Sequence, residues 1–176
     1  MRPKPRRWRA PNHVSEERPG PANAGVRFPP PLLFVAGLSI GLALDRFVLR
    51  VRLAGDDVNR TPLLVLGWLG IVSGLAFAAW GITTFRRERT AIVPFKPART
   101  VVASGPYRWS RNPMYVGLTA AYAGVALVRN TAWPLVLLPV VLTALWFLVI
   151  RREERYMTHA FGEQYFRYQQ SVRRWL

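Results

Sequence analysis

The chain has 176 residues, about half of them hydrophobic, with a net charge of +16. A soluble globule would struggle to hold both. Long apolar runs separated by basic loops reconcile them in a membrane protein. The basic residues border apolar segments instead of forming one stripe, which argues against a nucleic-acid partner. With no Cys there are no disulfides, thiolate ligands or Cys nucleophiles, and two His exclude a multi-His metal site.

Residues 1–28 are rich in Pro and Arg with little apolar periodicity, and read as a disordered basic tail. No long apolar core directly follows the first Arg cluster, so a cleaved signal is not expected. The remaining chain, 29–176, reads as one membrane domain. Its first apolar run covers about 30–49 and ends at Asp45-Arg46, an interfacial boundary. A polar loop with Asp56-Asp57 follows. The clearest span, about 62–85, is uncharged and long enough to cross a bilayer. Its small residues include Gly70-x-x-x-Gly74, a spacing that lets helices approach closely.

A long basic loop over 86–112 sets Arg86, Arg87, Arg89, Lys96, Arg99, Arg108 and Arg111 against Glu88. Its length exceeds ordinary helix connections, which favours a functional role. Ser104-Gly105-Pro106 is turn chemistry, with Gly105 free to take positive φ. Asn112-Pro113 reads as a helix start, with Asn as the N-cap and Pro at the first helical position. Such a start offers an anion site beside Arg108 and Arg111. The third span, 113–128, is crowded with Gly and Ala and should pack against other helices. The fourth, 132–150, contains Pro139, which should bend it or free a carbonyl.

Residues 151–176 leave the membrane. Phe161, Tyr165, Tyr168 and Val172 share one helical face. This predicts an amphipathic helix, either interfacial or folded over the bundle, with Gly162 interrupting it. The expected class is thus all-α, a bundle of about four transmembrane helices with a C-terminal amphipathic cytosolic helix. The tail, the 86–112 loop and the C-terminal segment hold 7, 7 and 6 basic residues, against 4 and 1 in the other connections. Both termini are therefore expected in the cytosol, with the chain multi-pass in the cell (inner) membrane. Glu153-Glu154 lies just past the last span, either as a solvated boundary cluster or with one carboxylate turned inward.

Two motifs carry a resemblance. Gly105-Pro106-Tyr107-Arg108, followed by Arg111-Asn112-Pro113-Met114-Tyr115-x-Gly117, is similar to the signature of the isoprenylcysteine carboxyl methyltransferase and phospholipid methyltransferase group. Its second half, an acidic pair followed by Phe-Gly-Glu-x-Tyr, has counterparts in Glu153-Glu154 and Phe161-Gly162-Glu163-Gln164-Tyr165. Tyr168 and Arg173-Arg174-Trp175 come after it. The resemblance implies binding of S-adenosyl-L-methionine without a Rossmann sheet, and methyl transfer to a lipophilic or membrane-associated carboxylate or amine. Carried over by motif, the cofactor contacts are Arg99, Thr100, Val101, Val102, Tyr107, Asn112, Pro113, Met114, Tyr115 and Glu153. The eukaryotic carboxyl methyltransferase has His where this chain has Asn112, so a titrating base at that position is not carried over. Arg111 or Arg151 would place a carboxylate acceptor, and Glu154 would take a proton from an amine. Membrane lipids and a lipid-like substrate are the expected partners. Two other classes fit parts of the pattern. Some sterol reductases that use NADPH share an Arg-x-Pro-x-Tyr-x-Gly signature, and a non-enzymatic bundle would bind anionic lipid through its basic face.

Overall fold

The computed structural model describes residues 25, 26, 28–88 and 100–176. The basic tail over 1–24, and Arg99 with the rest of 89–99, lie outside the described residues. Helix α1 runs Pro31–Phe47, α2 Thr61–Arg87, α3 Pro113–Val128 and α4 Trp133–Leu145. A π-helical turn, Trp146–Ile150, joins α4 directly to α5, Arg151–Ser171. There is no strand among the described residues, in agreement with the all-α expectation.

The helices form two antiparallel pairs. Gly37 and Gly41 of α1 face Val141 and Pro134 of α4. Gly67, Gly74 and Gly81 of α2 face Gly124, Gly117 and Met114 of α3. The α2–α3 seam is made of small residues, as the composition of both segments predicts. A Cβ on Gly67 would stand 2.8 Å from the Gly124 carbonyl oxygen, and one on Gly117 would stand 2.8 Å from the Ala78 nitrogen. The two backbones are therefore in direct contact over most of their length. Phe34 of α1 meets Tyr122 of α3 edge-on at 6.3 Å, so α3 is packed on both sides.

Side-chain size is distributed inside out. Gly67, Gly74, Ala78 and Gly81 are buried, whereas Leu64, Val65, Leu66, Trp68, Leu69 and Val72 of the same helix are exposed. In water such a continuous apolar face would associate or aggregate, but hydrocarbon solvates it. Among the described residues two helices are long and apolar enough to cross a membrane: Thr61–Arg87, and Trp133–Ser171 counted through the π turn. Helices α1 and α3 are shorter, about 25 Å at 1.5 Å per residue.

At one end of the bundle the loop after α1 is stitched to the α3–α4 turn. Thr131 donates to Asp45 at 2.8 Å, Asn130 exchanges two bonds with Ala54, and Trp133 donates to the Leu49 carbonyl. Asp45 thus bonds Thr131, and the neighbouring Arg46 lies over Phe47. At the other end lie the start of α1, the end of α2, the start of α3 and the whole of α5. Pro139 is accommodated within α4, and the departure from α geometry comes later, at Trp146–Ile150. Gly162 breaks α5 with φ 47°, as expected of the residue that interrupts it. The second half of α5 folds over the bundle. Tyr165 and Tyr168, flanked by Phe161 and Val172, pack against Val102 and Tyr107.

Candidate functional site

The site is built where the short 3-10 turn Gly105–Arg108, the start of α3 and the start of α5 converge. Gly105 opens the turn at φ 56°, and a Cβ there would lie 2.8 Å from Thr84 Oγ1 of α2. Only Gly meets both conditions. The turn delivers Tyr107, which is 4% exposed, inward beneath Phe85 with ring centroids 4.8 Å apart. The Tyr107 carbonyl accepts from the Tyr168 hydroxyl at 2.8 Å. Its own hydroxyl, fully buried, finds no hydrogen-bond partner among the described residues. It lies toward Gly81, where a Cβ would stand 3.4 Å from it and 2.8 Å from Met114 Cγ.

Tyr115, one turn into α3, donates from its hydroxyl to Glu153 Oε1 at 3.0 Å. The π turn sets the register of the side chains that follow it. It holds one more residue than an α turn, which rotates every later side chain by about 100°. With Val149 and Ile150 fully buried, Glu153 turns toward Tyr115. Burial pushes its carboxyl up to about 7. The Tyr115 hydrogen bond works against that shift, and the charge of Glu154 adds to it. Burial, with the charges of Tyr168 and Glu153, also holds Tyr107 far above the ordinary phenol range. The Tyr107 hydroxyl therefore keeps its proton and remains a donor. An unpaired buried donor is costly unless a ligand meets it.

Glu154 sits differently. It is gripped by Arg111 at 3.0 Å and by Arg174, whose Nε and Nη2 reach its two oxygens at 3.0 Å each. As a proton acceptor it would compete with two guanidinium partners, and Arg111 in turn is engaged with it. Arg151 is exposed on the rim. Asn112 occupies the N-cap position of α3, yet its side chain makes no capping bond. Its amide donates instead to the Arg174 carbonyl at 3.0 Å. Just before the N-cap, the Arg111 N–H donates to the Arg173 carbonyl at 2.9 Å.

Tyr107, Tyr115 and Glu153 thus come together, with Pro113 buried and Met114 against Gly81. Val102 is buried in the layer beneath Tyr107, and Val101 packs on that layer. Thr100 is half-buried at its edge, where the described residues resume. Sequence reasoning did not place Gly81, Thr84 or Arg174 at the site. The small-residue face of α2 hinted at Gly81, but nothing in the sequence links Arg174 to Glu154. A family model described as phospholipid methyltransferase matches residues 63–164 of the chain. No curated protein and no solved structure matches it.

Proposed function

The chain belongs to the phospholipid methyltransferase family, and from that premise we propose that it is an integral membrane methyltransferase that draws its methyl group from S-adenosyl-L-methionine. The observation that carries the reading is the unpartnered, buried Tyr107 hydroxyl together with the half-buried Glu153 that Tyr115 bonds. Such a pocket suits a ligand that bears a cation and hydrogen-bond acceptors. Glu153 and Tyr107 would hold the cofactor, with Met114, Pro113 and the segment over 100–102 closing around it. When bound, the cofactor supplies a methyl group activated by a sulfonium. Tyr115 fixes the carboxyl of Glu153. The packed layer of Tyr165, Tyr168 and Val102 keeps water from one side, so that alignment of donor and acceptor is held. The acceptor is a lipophilic or membrane-associated molecule with a carboxylate or amine. Exposed Arg151 would meet an anionic one at the rim.

Isothermal titration of the purified protein with S-adenosylhomocysteine and with NADPH tests this. Binding of the first and not the second is expected. Binding of NADPH alone would support a reductase, and binding of neither would remove the methyltransferase reading.

The same proposal has α1, α2, α3 and the α4–π segment each crossing the membrane, with the site at the cytosolic face. The basic asymmetry and the two antiparallel pairs support it. Reporter fusions at Gly55 and Asn130 are expected on the side opposite a fusion at Leu176. A shared side for Gly55 and Leu176 would overturn the topology.

A further inference from the structure

The last residues of the chain run back across the start of α3. Three hydrogen bonds tie them there: Arg111 N–H to the Arg173 carbonyl at 2.9 Å, and Asn112 Nδ2 and Ser110 Oγ to the Arg174 carbonyl at 3.0 and 3.3 Å. The side chain of the same Arg174 turns the other way. Its guanidinium forks onto Glu154 at the start of α5 and lies 4.2 Å from the Trp146 ring centroid in the π turn. One residue is therefore bonded through its backbone to the segment that leads into α3, Ser110 and the N-cap Asn112, and through its side chain to α5. Helices α3 and α5 supply Tyr115 and Glu153.

We propose that Arg174 is a positioning residue: the C-terminal strap, locked through Arg174 to Glu154, sets the start of α3 against the start of α5 and so fixes the Tyr115–Glu153 pair. This rests on the cofactor-binding reading above. The chemistry suits the role. A two-point guanidinium–carboxylate fork constrains orientation as well as distance, and an aromatic face behind the guanidinium removes its remaining freedom. Glu154 keeps a second cationic partner in Arg111, so losing Arg174 does not leave a buried carboxylate unpaired. The fork is thus not required for charge balance, and its loss should loosen geometry more than it lowers stability.

The test uses the full chain and the variants Arg174→Gln, Arg174→Lys, Glu154→Gln and the Arg174→Gln/Glu154→Gln double variant. Three quantities are measured: affinity for S-adenosylhomocysteine, thermal midpoint, and amide hydrogen exchange over residues 110–116. Arg174→Gln should weaken binding about tenfold, the scale of one charge-assisted hydrogen bond. Exchange over 110–116 should quicken while the thermal midpoint stays close to the parent. Lys restores the charge but neither the fork nor the stack, so Arg174→Lys should fall between. The double variant should bind no more weakly than the weaker single one, since both act through the same contact. Parent-like affinity and exchange in Arg174→Gln would overturn the proposal, as would affinity losses that merely track the thermal midpoint. If the parent itself binds no S-adenosylhomocysteine, the cofactor reading fails, and exchange over 110–116 alone decides whether the strap orders α3.

Discussion

Glu153→Gln is expected to weaken S-adenosylmethionine binding about a hundredfold, the scale of removing one member of a buried charge pair. The substitution keeps the shape and the hydrogen bond from Tyr115 but removes the charge that, in the proposed complex, would face the cation. The parent should also show a pH dependence that the variant lacks. The folded-state value of Glu153, about 7, lies above the ordinary carboxyl value of 4.5. Between those values the folded protein holds a proton that the unfolded chain has lost. Its contribution to stability is complete below 4.5 and disappears as pH rises through 7, so stability falls across that window. Affinity for the cationic cofactor should move the opposite way, rising through pH 7 as the carboxyl ionises. S-adenosylhomocysteine, which lacks the sulfonium, should respond less. Glu154→Gln should cost less affinity and act by loosening α3. Equal losses in the two variants would instead indicate a general electrostatic effect of the acidic pair. Parent-like binding by Glu153→Gln would remove it from the site.

The largest loss of stability is expected at the α2–α3 seam. A Cβ on Gly117 would stand 2.8 Å from the Ala78 nitrogen and 3.0 Å from the Ala78 Cβ, besides meeting the Gly74 carbonyl oxygen. These obstacles are mainly backbone, so no rotamer change relieves them. Gly117→Val must drive the helices apart and lose the adjoining Gly67–Gly124 and Gly74–Gly117 contacts as well. The expected cost is about 3 kcal/mol or more, at or beyond the upper end for overpacking. It should appear as a sharply lowered thermal midpoint in detergent, with ligand binding lost alongside it. Gly55→Ala serves as the control, since a Cβ at Gly55 meets nothing within 4 Å. A parent-like midpoint in Gly117→Val would mean that the two helices do not pack as closely as this.

The sequence by itself determined the helices and their small-residue faces. Uncharged apolar length marks α2, Gly and Ala density marks α3, and the Tyr165–Tyr168 spacing marks the buried side of α5. These signals are local: each depends on residues within a few turns of one another, where composition and period dictate which side is buried. Gly105 and Gly162 were legible for the same reason, because positive φ is a property of one residue. The partners of Asn112, Glu153 and Glu154 were decided only by tertiary structure. Asn112 has the sequence of an N-cap, yet its amide goes to a carbonyl 62 residues away. The motif singled out Glu153, but the hydroxyl that bonds its carboxyl belongs to Tyr115, 38 positions earlier on another helix. Glu154 is held by Arg174, 20 positions further on, after the chain has reversed over the bundle. Contacts between distant segments depend on how whole helices pack, and the identity of a residue does not encode the partner that packing brings to it.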